Sequence, residues 1–132
     1  TGGGRGCWIN QSDDVTISDN VFRNNVQKGI PQAGIGRRSP FSGAFEQYPE
    51  IYFANAGKSY SNIIMRRNLI ESTPGNTQPA VLFEKNGTGI IFEDNILQGT
   101  SRDVAIEGNA EVQCRNNEGV GGYNKQSIVE PL

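Results

Sequence analysis

Gly87-Thr88-Gly89-Ile90-Ile91-Phe92-Glu93-Asp94-Asn95-Ile96-Leu97 carries the pattern that decides the fold: apolar, any residue, apolar, two polar residues, then Asn. The pattern recurs as Val15-Thr16-Ile17-Ser18-Asp19-Asn20, as Ile63-Ile64-Met65-Arg66-Arg67-Asn68 and as Val112-Gln113-Cys114-Arg115-Asn116-Asn117. Ahead of each lies another short β-rich run: Cys7-Trp8-Ile9, Ile51-Tyr52-Phe53, Val81-Leu82-Phe83 and Val104-Ala105-Ile106. Turn formers such as Gln11-Ser12-Asp13-Asp14, Lys85-Asn86-Gly87 and Gly108-Asn109 divide the two runs. Each unit therefore reads as strand, turn, strand, Asn corner, variable loop.

The Asn corners are spaced 48, 27 and 22 residues apart. The shortest interval approximates one coil, and the longer ones a coil plus an inserted loop. A period in the twenties with β-branched strands marks an all-β solenoid, in which one coil cannot bury its apolar face alone and stacks on its neighbours.

Bulk composition narrows the function classes. The 132 residues suit a single domain, and a net charge of −2 with 20% charged residues argues against a dedicated nucleic-acid binder. No apolar run approaches the roughly 20 residues of a membrane span. The chain has no His, which removes the commonest metal ligand and the usual catalytic base. It begins Thr-Gly-Gly-Gly rather than with Met, which suits a processed or excised piece of something longer.

Stacking the repeats fixes a register that can be tested. If Ile17, Met65, Phe92 and Cys114 face inward, so do Val15, Ile63, Ile90 and Val112, because residues two apart share a face. Ser18, Arg66, Glu93 and Arg115 then point outward about 4.8 Å apart, an Arg-Glu-Arg ladder. Asn20, Asn68, Asn95 and Asn117 stack at the corner, where their amides satisfy backbone groups that a bend leaves unpaired. Cys7 and Cys114 fall roughly 14 Å apart along the axis, too far for a disulfide, and are expected to be free and buried. Residues 21–50 break the repeat and read as a long inserted loop, and residues 118–132 lose the pattern and read as a cap or tail, with Ser127-Ile128-Val129 a candidate last strand.

From about Cys7 to Asn117, outside that break, the four segments resemble the repeats of right-handed parallel β-helix proteins of the pectin-lyase-like group. The resemblance implies a single β-helix domain over 1–132 of about four coils, a portion of a longer and secreted or cell-surface chain. It also implies activity on the outside of a sheet, in a groove walled by loops with acidic and basic residues from neighbouring coils.

Three outward groups fit such a groove. Glu84 and Glu107 follow Phe83 and Ile106 at equivalent positions and project from adjacent coils about 5 Å apart. Such a pair could share a proton, bind calcium, or serve as acid and nucleophile of a retaining glycosidase; the plainer reading, which the residues favour, is two solvated strand-end glutamates beside Lys85. Trp8, Tyr52 and Leu82 take the outward position of the first strand in successive coils, a strip that suits sugar rings and also subunit interfaces. Arg37, Arg38, Arg66, Arg67 and Arg102 offer forks for carboxylates, as in uronic-acid polymers, or simply solubility.

Two functions compete. In the first, the chain is part of a carbohydrate-active hydrolase or lyase that acts on or binds polysaccharide, with Glu84, Glu107, Asp13 and Asp14 as acidic candidates and Trp8, Tyr52, Arg37, Arg38 and Arg66 as substrate contacts. No metal site is expected, no cofactor beyond a compatible Ca2+, and neither nucleic acid nor membrane as partner. In the second, it is a non-catalytic module such as a tailspike shaft or adhesin segment, whose aromatic strip makes homo-oligomer contacts.

Overall fold

A computed structural model describes residues 7–23, 49–55, 57–72, 74 and 78–123. Among these residues every regular element is a strand and every strand pairing is parallel. The strands are β1 (Cys7–Asn10), β2 (Val15–Ser18), β3 (Val21–Arg23), β4 (Ile51–Ala54), β5 (Tyr60–Arg66), β6 (Leu69–Glu71), β7 (Val81–Phe83), β8 (Gly87–Glu93), β9 (Ile96–Gln98), β10 (Asp103–Ile106), β11 (Val112–Arg115) and β12 (Gly122–Tyr123).

They form three sheets, ordered β1-β4-β7-β10-β12, β2-β5-β8-β11 and β3-β6-β9. Three times the chain gives one strand to each sheet in turn and then returns to the first sheet one position further along; the fourth time it meets the third sheet only through an isolated bridge from Glu118. We call each such traverse a pass.

Pairing follows the register expected from the sequence. Val15 pairs with Ile63, Ile63 with Ile90 and Ile90 with Val112, while Ile17, Met65, Phe92 and Cys114 align beside them. From the second pass onward the inward members of these two columns are at most 1% exposed. Inward residues of the first sheet, Ile51, Phe53, Val81, Phe83, Val104 and Ile106, complete the core with Ile70 and Leu97 of the third. Phe53 stacks on Phe83 at 4.9 Å between ring centroids, and Phe83 meets Phe92 edge-on at 6.0 Å.

The corners show why the pattern ends in Asn. Asp19, Arg67, Asp94 and Asn116 take positive φ, a conformation that Asp and Asn tolerate best. From the second pass on, the Asn that follows each reaches back to the preceding pass. Asn68, Asn95 and Asn117 each accept, on Oδ1, the backbone N–H of the preceding Asn at 3.0 Å. Their Nδ2 groups donate to the carbonyls of Ile17, Met65 and Phe92. The expected Arg-Glu-Arg ladder is present beside them, with Arg66 and Arg115 at 3.4 and 3.6 Å from Glu93.

The structure departs from the sequence reading in three places. What read as variable loop after the Asn corner is a third sheet: β3, β6 and β9 directly follow Asn20, Asn68 and Asn95. Residues 21–23 of the expected inserted loop therefore belong to a strand, and residues 24–48 of it lie outside the described residues. The tail likewise opens with structure, because Glu118 bridges to Ile96 and β12 pairs with β10, which starts a fifth pass. Gly119 permits this: at φ +77° a Cβ there would sit 2.1 Å from the Leu97 carbonyl oxygen. Ser127-Ile128-Val129 lies outside the described residues.

Both cysteines are free. Cys114 is buried as expected, but Cys7 is only half-buried, on a strand that is outermost in its sheet among the described residues.

Candidate functional site

The outer face of the first sheet gathers four of the nine candidate residues: Trp8, Tyr52, Glu84 and Glu107. Alternation on β1, β4, β7 and β10 turns Cys7, Ile9, Ile51 and Phe53 inward and sends Trp8, Tyr52, Leu82 and Ala105 outward in one register column. Trp8 stacks on Tyr52, with ring centroids 6.0 Å apart and planes 13° from parallel. Trp8 remains 43% exposed. The aromatic strip is thus two residues wide and fades through Leu82 to a small Ala105.

Glu84 sits at the end of β7, where its backbone N–H donates to Phe53 C=O and Glu107 repeats the arrangement on Phe83 C=O. The two glutamates are therefore neighbours at equivalent positions, as the sequence indicated. Their surroundings differ. One Glu84 carboxylate oxygen accepts the Tyr52 hydroxyl, and the other accepts the Asn55 backbone N–H at 2.9 Å. Glu107 is exposed.

Two residues that the sequence did not single out hold Glu84 in place. Asn55, 6% exposed, bends the chain after β4: its Oδ1 accepts Gly57 N–H at 2.7 Å and its Nδ2 donates to Lys85 C=O at 2.9 Å. Tyr60, 2% exposed, donates its hydroxyl to the Glu84 carbonyl at 2.6 Å. Burial first, then the negative charges of Glu84 and Glu107, push the Tyr60 phenol well above its ordinary value. Both carboxylates therefore bear on one buried hydroxyl. Tyr52 and Tyr60 are the available signals in the sequence, but Glu84 lies 32 and 24 residues from them.

The other acidic candidates lie elsewhere. Asp13 and Asp14 occupy the turn from β1 to β2. Asp13 accepts Ser61 N–H at 2.8 Å, and Asp14 accepts the Asn62 side-chain amide at 2.7 Å. Both tie the first pass to the second. Arg66 belongs to the outer face of the second sheet, in its ladder with Glu93, so it shares no sheet face with Trp8. Arg37 and Arg38 lie outside the described residues.

A concavity of about 270 Å³ opens on the second sheet between Gly89, Ile90, Ile91, Glu111, Val112 and Gln113. Asp14, Asn62 and Gly89 share the same positive-φ turn, and only Gly89 lacks a side chain. A Cβ there would find nothing nearer than 3.5 Å, so the space is a missing side chain rather than a tight backbone approach.

Among the described residues no three His, Cys, Asp or Glu side chains converge as metal ligands, and no helix is long and apolar enough to cross a membrane. Family models, curated proteins and solved structures were each compared with the chain, and none of them matches it.

Proposed function

We propose that the chain is a right-handed parallel β-helix of the pectin-lyase-like kind, and that the outer face of its first sheet binds polysaccharide. The observation that carries the binding reading is the stacked Trp8–Tyr52 pair, exposed on its Trp8 side and joined through the Tyr52 hydroxyl to Glu84. Aromatic faces suit the apolar faces of sugar rings, and carboxylates at their edge suit the hydroxyls. The β-helix reading is supported by the in-register parallel columns and the Asn corners. A secreted or cell-surface setting goes with it.

Binding is better supported than hydrolysis. Glu84 is half-buried and already accepts two hydrogen bonds, while Glu107 is exposed. If the chain turns a glycan over, Glu107 is the exposed acid and Glu84 the positioned carboxylate.

Trp8 is the only tryptophan, so its emission reports the site directly. A panel of neutral and uronic-acid polysaccharides is titrated against that emission. At least one is expected to shift it, and Tyr52→Ala is expected to weaken that glycan about tenfold or more. A panel without response overturns the proposal. For turnover, parental rates in both Glu84→Gln and Glu107→Gln remove those residues from the chemistry.

The alternative of a non-catalytic, oligomerising module has its own support on the third sheet. Val21 and Ile96, 61% and 40% exposed, flank the half-buried Leu69 in one outward column. A dimer or trimer that Val21→Asp dissociates favours that reading.

A further inference from the structure

The Asn corners have a direction, and the direction leaves one of them unanswered. Asn68, Asn95 and Asn117 each reach toward the preceding pass: Oδ1 takes the backbone N–H of the Asn there, and Nδ2 gives to the carbonyl three residues before it. One more bond accompanies them. The carbonyls of Arg66, Glu93 and Arg115 accept the N–H of Asp19, Arg67 and Asp94, the positive-φ residues of the preceding pass.

Asn20 has no preceding pass among the described residues, because β2 is the outermost strand of its sheet. Its Nδ2 instead folds back onto Ser18 C=O at 2.9 Å, the counterpart of the Arg66, Glu93 and Arg115 carbonyls. Its Oδ1 accepts nothing among the described residues, and Asn20 is exposed. The inward side chains on the same edge are also incompletely covered: Val15 and Ile17 are half-buried, whereas Ile63 and Met65 directly below them are 0% exposed.

We propose that the edge of β2, open among the described residues, docks with its Asn20 corner an extended segment of a partner polypeptide that runs parallel to β2 and turns through a positive-φ corner as this chain's own passes do. The hydrogen-bond polarity selects that occupant. An incoming strand must offer an N–H to Ser18 C=O, the next N–H to Asn20 Oδ1, and a carbonyl three residues earlier to Asn20 Nδ2. Only a parallel strand ending in such a corner presents all three at that spacing. Its two inward apolar residues would cover Val15 and Ile17, and a basic residue at its corner would face Asp19, as Arg67 does from the other side. An antiparallel strand, as a two-fold pairing of β2 edges would supply, does not match.

A labelled peptide of the sequence Lys58–Glu71, which contains this pattern with Arg67 at the corner, is the probe, added to the full chain. Anisotropy is expected to show saturable binding. Asn20→Ala in the chain should weaken it about tenfold, the worth of two modest hydrogen bonds. A peptide carrying Asn68→Pro, which lacks the N–H for Asn20 Oδ1, should lose affinity similarly. Asn20→Ala is not expected to unfold the chain, since among the described residues the Asn20 side chain bonds only Ser18 of its own pass; an unchanged melting curve checks this.

No binding to the parent chain overturns the proposal, as does equal binding of the reversed-sequence peptide or an affinity unchanged in Asn20→Ala. Concentration-dependent dimerisation without peptide binding overturns it in favour of a second copy as occupant.

Discussion

The first and last passes are made of the same kinds of residue and end differently. Cys7, Ile9, Val15, Ile17 and Phe22 point inward from the first pass yet all remain half-buried. Their counterparts near the other end, Val104, Ile106, Val112 and Cys114, are 0 to 1% exposed. At that end β12 adds to β10, and Val120 and Tyr123 pack on the core. Burial here is thus delivered along the axis, by the next pass, more than by the strand's own sheet. An Ile on an outermost strand is worth less than the same Ile one pass inward, and every prediction below turns on that gradient.

The largest effect is expected in the column Ile17, Met65, Phe92, Cys114. Phe92→Ala removes a fully buried ring that contacts Phe83 and should cost about 3–5 kcal/mol. Ile17→Ala, in the same column but half-buried, should cost about 1–2 kcal/mol. Urea denaturation with unchanged m-values measures both. Equal losses would mean that the first pass is as well covered as the third.

Next comes the corner. Asn95 is 0% exposed and makes bonds to Asn68 N–H, Met65 C=O and Asn117. Asn95→Ala strands at least two buried backbone groups, at about 1–3 kcal/mol each. Asn20→Ala strands none that are buried and should fall within about 0.5 kcal/mol. A ratio near one would show that the Asn side chains stabilise the corner locally rather than by linking passes.

These contrasts also show which parts of the fold the sequence discloses. The two inward columns and the Asn corner were legible because four copies of a six-residue pattern align without gaps, and each places two inward side chains on alternate positions. The third sheet was not legible. Its strands have three residues, so only Phe22, Ile70 and Leu97 point inward, and one inward residue makes no period. Worse, the residue before each, Val21, Leu69 or Ile96, is apolar and faces outward. The site divides the same way. Register alone placed Trp8 beside Tyr52 and Glu84 beside Glu107. It could not show that the Tyr52 hydroxyl and the Asn55 N–H occupy the Glu84 carboxylate, since those contacts depend on how the chain bends after β4.

The thiols give a smaller contrast, visible in pH. Burial pushes the Cys114 thiol up to about 12, and raises Cys7 as well. For a thiol the neutral form is the one that the fold favours. The Cys114 contribution is therefore complete below the ordinary value of 9.0 and is lost as pH rises from there to about 12. Stability is expected to fall across that window, and Cys114→Ala should flatten part of the slope. At neutral pH a thiol reagent should modify half-buried Cys7 well before Cys114, which should react only as the chain opens. Equal labelling rates would remove the asymmetry between the ends.

The smallest effect concerns the outward ladder, where the two ends again differ. Glu93 lies between Arg66 and Arg115, with side chains about one-fifth to one-third exposed, but Arg66 faces only the neutral Ser18 on its other side. Arg66 Nε is buried and makes no hydrogen bond. Solvent screening limits each such pair to about 0–1 kcal/mol, so Glu93→Gln, which breaks two of them, should cost no more than about 2 kcal/mol, and less as salt is raised. Ser18→Glu should move stability the opposite way by a similar or smaller amount, because it continues the alternation of charge to the outermost strand and gives Arg66 a second acceptor. The pair of variants separates the ladder from the corner as far as side chains go, since Asn20 bonds Ser18 only through its backbone carbonyl, which Ser18→Glu keeps. If Ser18→Glu destabilises at low salt, the new carboxylate is answering to Asp19 next door rather than to Arg66, and the charge order of the edge is set by the corner instead of by the strand.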